Sequence, residues 1–198
     1  MADTALHTLA NLKSFLNFND SDTSKDSFLN LIITSTDKYC KTYLKRDILE
    51  TTYTNLELNG SGTEDLVLPQ YQIVSITSLY DDINRAWGSD CLIDTDEYVT
   101  DLDYWIITLL DDNIFNKAIK NIKITYKAGY SSVPADLSLS CIFFSSHVFK
   151  LSDMGGGRFG KYSQQALDGS ISYLDKKNIP DDVREVWDLY KRKDSILL

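Results

Sequence analysis

Residues 121–137, NIKITYKAGYSSVPADL, contain the transition that decides the fold class. Up to Tyr126, apolar and polar residues alternate, which is typical of an antiparallel strand with one face in water. Pro134 and Asp136 then introduce a mostly apolar run. Proline suits the first turn of a helix, and a negative charge is favoured near a helix N-terminus. This stretch therefore predicts a strand that is followed directly by a helix.

Two helices are predicted before residue 47. Thr8 suits an N-cap, and the apolar residues of 8–16 recur at helical spacing. Residues 24–46 predict a long helix whose apolar surface is wide, so that contacts are expected both inside the fold and with a neighbouring subunit. One stripe of this surface comprises Phe28, Leu31, Ile32, Tyr39 and Tyr43. A second stripe, the candidate subunit interface, comprises Leu29, Ile33, Cys40 and Leu44.

The C-terminal region repeats the proline signal. Residues 179–182, IPDD, begin a last predicted helix of about fourteen residues, and basic residues 191–193 suit its C-terminal dipole. Such a helix is marginal alone and is expected to gain order from a partner. The candidate docking residues on and beside it are Ile179, Val183, Val186, Trp187, Tyr190, Lys191 and Arg192.

Between residues 48 and 130 the hydrophobic period becomes alternating. Residues 59–62, NGSG, predict a hairpin loop, and residues 73–80 and 104–110 predict further strands. The sequence thus predicts an α+β fold, a helical bundle of two N-terminal and two C-terminal helices with an inserted antiparallel β lobe. The predicted segments are N-terminal helices at 1–47, the β lobe at 48–130, a bundle helix at 131–152, a flexible arm at 153–178 and the docking helix with its tail at 179–198.

Composition excludes several classes of function. Lys and Arg number 20 against 29 Asp and Glu, a net charge of −9 that is spread along the chain. This balance argues against a protein that grips nucleic acid, although DNA could pass through such a protein. The three cysteines are far apart and form no C-x-x-C pair, so neither disulfides nor a zinc site are predicted. Without a signal peptide or an apolar run of membrane length, a soluble protein that folds in a cytoplasm is expected.

Motifs for catalysis are weak. Residues 155–160, GGGRFG, satisfy G-x-G-x-x-G but follow a helix instead of a strand, so a hinge is favoured over a nucleotide site. The carboxylates between Asp94 and Asp103 could bind a hard cation, and acidic turns are the favoured alternative. Only His7 and His147 are present, and no common catalytic signature appears. We therefore predict no enzyme, no cofactor and no metal.

The order of these elements resembles that of the head-tail connector, or adaptor, family of tailed bacteriophages. The resemblance covers nearly the whole chain. The segments that carry it are LANLK at 9–13, YC-x-x-YLKR at 39–46, LP-x-Y-x-I-x-SI-x-SL at 68–79, ITY-x-AGY-x-x-VPADL at 124–137, G-x-YS at 160–163 and IP-x-x-V at 179–183.

The resemblance implies a role in virion assembly. Proteins of this family join the portal as a ring, usually of twelve subunits, extend the DNA channel and offer a platform to the stopper or tail. The resemblance therefore implies that the chain associates with copies of itself and has the portal and the stopper or tail proteins as partners. It also implies that genomic DNA passes through without specific binding and that the protein lies in the virion neck. Two other functions remain open, another neck or tail-completion protein (a stopper or tail terminator) and a small metal-dependent hydrolase.

Overall fold

The computed structural model describes residues 5–101, 105–152, 154, 163–166, 169–172 and 179–191, and it confirms the α+β fold class. The helices are α1 Leu9–Phe15, α2 Asp26–Leu44, α3 Ala135–Leu151 and α4 Asp181–Tyr190, with a 3₁₀ turn at Ser89–Cys91. The strands are β1 Thr51–Leu58, β2 Asp65–Val67, β3 Ile73–Asp81, β4 Tyr98–Asp101, β5 Ile106–Leu109, β6 Ile122–Ala128, β7 Ser163–Ala166 and β8 Gly169–Ser172.

The chain forms two compact units. Of the described residues, 5–45 and 133–191 belong to a helical unit, and 46–132 belong to a β unit. The helical unit is therefore built from both ends of the sequence. The five-segment division made from the sequence stays a prediction.

Strand β6 is the centre of the larger sheet. The order is β1-β6-β3, and both pairings are antiparallel. The alternation predicted for this strand is confirmed, because Ile122, Ile124 and Tyr126 are fully buried while the residues between them are partly exposed. These three residues join Leu68 and Phe115 in the core of the β unit.

The predicted hairpin at residues 59–62 is wrong. Strand β1 pairs with β6, whereas β2 pairs with β5 in a second sheet of order β2-β5-β4. Residues 59–62 therefore connect strands of two different sheets and do not join two strands that pair with each other. Gly60 lies against a neighbouring loop, where its N–H lies 2.8 Å from Asn121 Oδ1 and a Cβ atom would lie 1.9 Å from the Asn116 carbonyl oxygen. The glycine is thus required by close approach and not by a tight hairpin.

Helix starts follow the sequence signals closely. Pro134 and Pro180 occupy the N-cap positions of α3 and α4, one residue earlier than the first helical turn. Thr8 caps α1 as predicted, since its hydroxyl accepts from Asn11 N at 3.2 Å. Helix α2 is shorter than predicted because Lys45 adopts a left-handed conformation, with φ of 57°, that ends it.

The region of the predicted arm contains one described structural feature. Strands β7 and β8 pair with each other in antiparallel fashion. The glycine-rich residues 155–160 lie outside the described residues. Across the part of the chain that the structure describes, none of the helices combines the length and apolarity that crossing a membrane requires.

Candidate functional site: the helical unit

Helix α4 packs its apolar face within the helical unit. Trp187 is fully buried, and its ring centroid lies 5.7 Å from that of Tyr43, 5.4 Å from that of Phe144 and 6.2 Å from that of Tyr39. Its indole Nε1–H donates to Ser140 Oγ at 2.9 Å. A buried tryptophan therefore has both its ring and its polar atom satisfied by α2 and α3.

Hydrogen bonds at the edge of this contact hold α4 in place. The Tyr190 hydroxyl bonds to the Asp136 carboxylate at 2.7 Å, and the Tyr43 hydroxyl bonds to Asp188 at 2.7 Å. The bond to Asp188 raises the pKa of Tyr43, because deprotonation would place two negative charges together. The Lys191 ammonium lies 4.9 Å from the centre of the Tyr43 ring.

The predicted docking residues thus occupy three environments. Ile179, Val183 and Trp187 are buried within the helical unit, and Val186, Tyr190 and Lys191 are half-buried. Arg192 lies outside the described residues. The sequence reasoning missed Leu189, which is 75% exposed on the outer side of α4. The portal-docking role stays a prediction.

The candidate subunit interface on α2 is buried inside the chain. Leu29, Ile33, Cys40 and Leu44 are all covered, because α2 packs against α1, α3 and α4. Their role between subunits stays a prediction. The outward apolar residues belong to the other stripe, in which Leu31 is 62% exposed.

Apolar side chains also remain exposed on α1 and α3. The rings of Phe15 and Phe143 contact each other with centroids 5.2 Å apart, and both are substantially exposed. Leu139, one helical turn before Phe143, is exposed as well. Grouped exposed apolar side chains are typical of surfaces that contact another protein.

A polar cluster lies inside the same unit. His7 Nε2 is 2.9 Å from Ser145 Oγ, which donates to Thr36 Oγ1 at 3.0 Å, and His7 Nδ1 is 3.3 Å from Asp37 Oδ1. The Asp–His–Ser order is that of a hydrolase triad. Here all members are buried and the serine proton is bonded to Thr36, so the hydroxyl has no access to a substrate.

Two cysteines adjoin this cluster. Cys40 and Cys141 are buried, and a hydrogen bond between their side chains, together with burial, raises the pKa of the Cys40 thiol. In the absence of a bound cation, Cys40 is therefore a neutral thiol at neutral pH. Cys91 lies in the β unit and is partly exposed.

The second histidine is half-buried on α3. Burial lowers the pKa of His147, and the positive charge of Lys150 adds to that effect. This agrees with the expectation of a packed histidine. The imidazole is neutral at neutral pH.

The β unit contains an enclosed cation. Arg46 is buried, with its guanidinium carbon 3.5 Å from the centre of the Tyr71 ring and 5.5 Å from that of Tyr130. Gly129 next to it has φ of 118°, and a Cβ atom there would lie 2.6 Å from the backbone of Leu49. This position accepts only glycine without strain.

The acidic segment forms exposed turns. Asp94, Asp96 and Glu97 are exposed in these turns, and Glu97 accepts the backbone N–H of Asp94 at 2.8 Å, while Asp101 is exposed at the end of β4. Asp103 lies outside the described residues. Among the residues that the structure describes, this segment does not bring three potential metal ligands together. The geometry favours acidic turns over a catalytic site.

The sequence matches the model of the family described as "Head completion protein" over residues 5–193. The chain belongs to the head completion protein family. This membership agrees with the connector resemblance found in the sequence. No curated protein matches the chain.

Solved structures share the fold of this head completion protein. A chain from the virion of a native gene transfer agent particle is 14% identical, with 93% of this chain and 88% of that chain covered and a TM-score of 0.60. Chains from the neck of an empty particle computed with C6 symmetry and from the neck of a native particle computed with C12 symmetry show the same identity and coverage, each with a TM-score of 0.54. At this identity the likeness concerns the fold.

Proposed function

We propose that this head completion protein is a structural subunit of the virion neck, a head-tail connector that assembles as a ring beneath the portal. Family membership over residues 5–193 carries the proposal. The shared fold supports it, because two of the similar chains belong to particle necks. The ring extends the DNA channel and provides a docking platform for the stopper or tail.

Ring formation requires a surface on which one copy meets the next. Leu29, Ile33, Cys40 and Leu44 already make contacts within the chain, so the ring would bury other residues. We place the contact on the exposed apolar side chains of the helical unit, including Phe15, Leu31 and Phe143. A ring of twelve copies is the expected state, and mass measurement of the assembled neck tests it.

Portal docking is assigned to the outward side of α4. Leu189 is exposed, and the basic docking candidates Lys191 and Arg192 follow it after Tyr190. An exposed leucine beside charged residues suits insertion into an apolar groove with a polar rim. The buried members, Val183 and Trp187, then act by holding the helix in place.

The experiment that tests the proposal is co-purification with the portal protein of the same virus. Leu189→Glu is expected to reduce portal binding at least ~10-fold, since removing an interface anchor costs about 2 kcal/mol or more. Ile119→Glu is the matched control, because Ile119 is 70% exposed in the β unit. A ring on the portal with wild type and the control, lost with Leu189→Glu, supports both the connector role and the docking face.

The opposite outcomes separate the alternatives. Equal portal binding by wild type and Leu189→Glu rejects the docking face but keeps the connector. Absence of any portal complex, with binding to a tail protein instead, favours the stopper or tail-completion function.

The net negative charge of the chain suits the wall of a channel along which DNA slides. A net charge of −9 repels phosphates, and repulsion by the channel wall prevents the genome from adhering. We propose that genomic DNA passes without specific binding and that the protein acts without catalysis. A gel shift at low salt tests the first statement, and retardation of DNA by the assembled ring would reject it.

A further inference from the structure

Three potential metal ligands meet inside the helical unit. His7, Asp37 and Cys141 each place one donor atom within 4.8 Å of the others. They come from the segment before α1, from α2 and from α3. Their residues are 2%, 8% and 0% exposed, so water reaches them poorly. A bound cation would join three separate parts of the chain.

The hydrogen bonds of His7 direct the lone pair of its Nδ1 into this cluster. Ser145 Oγ uses its proton in the bond to Thr36, so it accepts from His7 Nε2–H. In the neutral imidazole, Nδ1 then carries a lone pair. Metal-binding histidines show this arrangement, in which the second ring nitrogen donates to a partner that sets the tautomer.

The two carboxylate oxygens of Asp37 likewise have different neighbours. Oδ2 accepts from Leu6 N at 3.0 Å, while Oδ1 faces His7 Nδ1 at 3.3 Å, and both facing atoms lack a hydrogen-bond partner. Two buried acceptors repel each other unless a positive charge lies near them. A separation of about 3.3 Å is what two ligands bound at ~2.0–2.1 Å to a tetrahedral zinc ion would have.

A fourth donor is available from the adjoining thiol. Cys40 lies outside the group of three whose donor atoms are within 4.8 Å of one another, but it follows Asp37 by one helical turn on α2 and its side chain contacts Cys141. Ligation by Cys40 therefore requires its side chain to move towards the ion. The set is then one nitrogen, one carboxylate oxygen and two sulfurs. Zn²⁺ accepts this mixture of ligands in tetrahedral structural sites.

We propose that the helical unit contains a structural zinc site with His7 Nδ1, Asp37 Oδ1, Cys40 Sγ and Cys141 Sγ as ligands. Binding replaces water ligands of the hydrated ion with four protein atoms and releases the displaced water and the two thiol protons to the solvent. The site ties the segment before α1 to helices α2 and α3. Sequence spacing could not predict it, because His7, the α2 pair and Cys141 are far apart in the chain.

The first test is metal content. The full-length chain is expressed without a polyhistidine tag in zinc-supplemented medium, purified without chelator and analysed by inductively coupled plasma mass spectrometry. We expect about one zinc per chain, and loss of most of it in His7→Gln and Cys141→Ser. The matched controls, Cys91→Ser and His147→Gln, remove a cysteine and a histidine outside the cluster and should keep the metal.

The second test uses the wild-type protein and is independent of the variants' folding. Cobalt replaces zinc, and ligation by two thiolates gives an intense charge-transfer absorption in the near ultraviolet together with tetrahedral d–d bands. Absence of these bands, with no zinc in the purified protein and an unchanged melting temperature on zinc addition, overturns the proposal in favour of a protonated His7–Asp37 ion pair. Equal zinc in folded His7→Gln and wild type also overturns it.

Discussion

Replacing Trp187 with alanine should destabilise the helical unit strongly. The side chain is fully buried, it contacts three aromatic rings, and its indole N–H donates to Ser140. A buried Trp→Ala change costs about 3–5 kcal/mol. In the variant the Ser140 hydroxyl still donates to the Leu137 carbonyl oxygen at 2.7 Å, so no buried donor is left unpaired at that position. The expected loss is therefore about 4 kcal/mol.

Urea unfolding followed by far-ultraviolet circular dichroism measures this loss without relying on the fluorescence of the removed tryptophan. Trp187→Phe keeps a ring but not the N–H donor, and should cost about 1–2 kcal/mol. Leu189→Ala, on the exposed side of the same helix, should stay within about 0.5 kcal/mol of wild type. A loss below about 1 kcal/mol for Trp187→Ala would refute the packing of α4 described above.

Two further changes test the β unit. Gly60→Ala should lower the free energy of unfolding by about 1–3 kcal/mol, because its Cβ would meet the Asn116 carbonyl oxygen. Gly88→Ala should cost much less, since the added Cβ meets only the carboxylate end of the Asp90 side chain, which can rotate away. Equal losses of the two variants in urea unfolding would contradict this prediction. Four backbone N–H groups, those of Trp87, Asn84, Ala86 and Arg85, hold the pKa of Asp82 below its ordinary 3.8. The stabilisation by Asp82 is therefore present above pH 3.8 and is lost as pH falls through the lowered pKa. The melting temperature of Asp82→Asn should accordingly lie below wild type at neutral pH and approach it in acid, and a constant difference would count against the turn.

Much of the fold could be predicted from local signals. Pro134 and Pro180 mark helix starts, and the alternation before Tyr126 identifies the central strand, because each signal depends only on neighbouring residues. The loop at residues 59–62 was misassigned because the turn residues do not determine which strand becomes the partner. Pairing is decided by burial across the whole sheet.

The candidate site was less predictable. The width of the apolar surface on α2 was recognised, but which stripe lies inside depends on where α1, α3 and α4 pack. The cluster around His7 was missed because its members converge only in three dimensions. A single histidine has no second potential ligand at a characteristic distance in the sequence, so sequence spacing cannot distinguish a metal ligand from a packed residue.

The discontinuous helical unit has a consequence for synthesis on the ribosome. The described residues of the β unit form one continuous segment, so all its strands have been translated before α3. The helical unit must instead wait for α4, whose Trp187 completes its core. Long-range closure of this kind is slow compared with local folding. Nascent chains on one polysome therefore cannot offer a finished helical surface to a neighbour until α4 has left the ribosome.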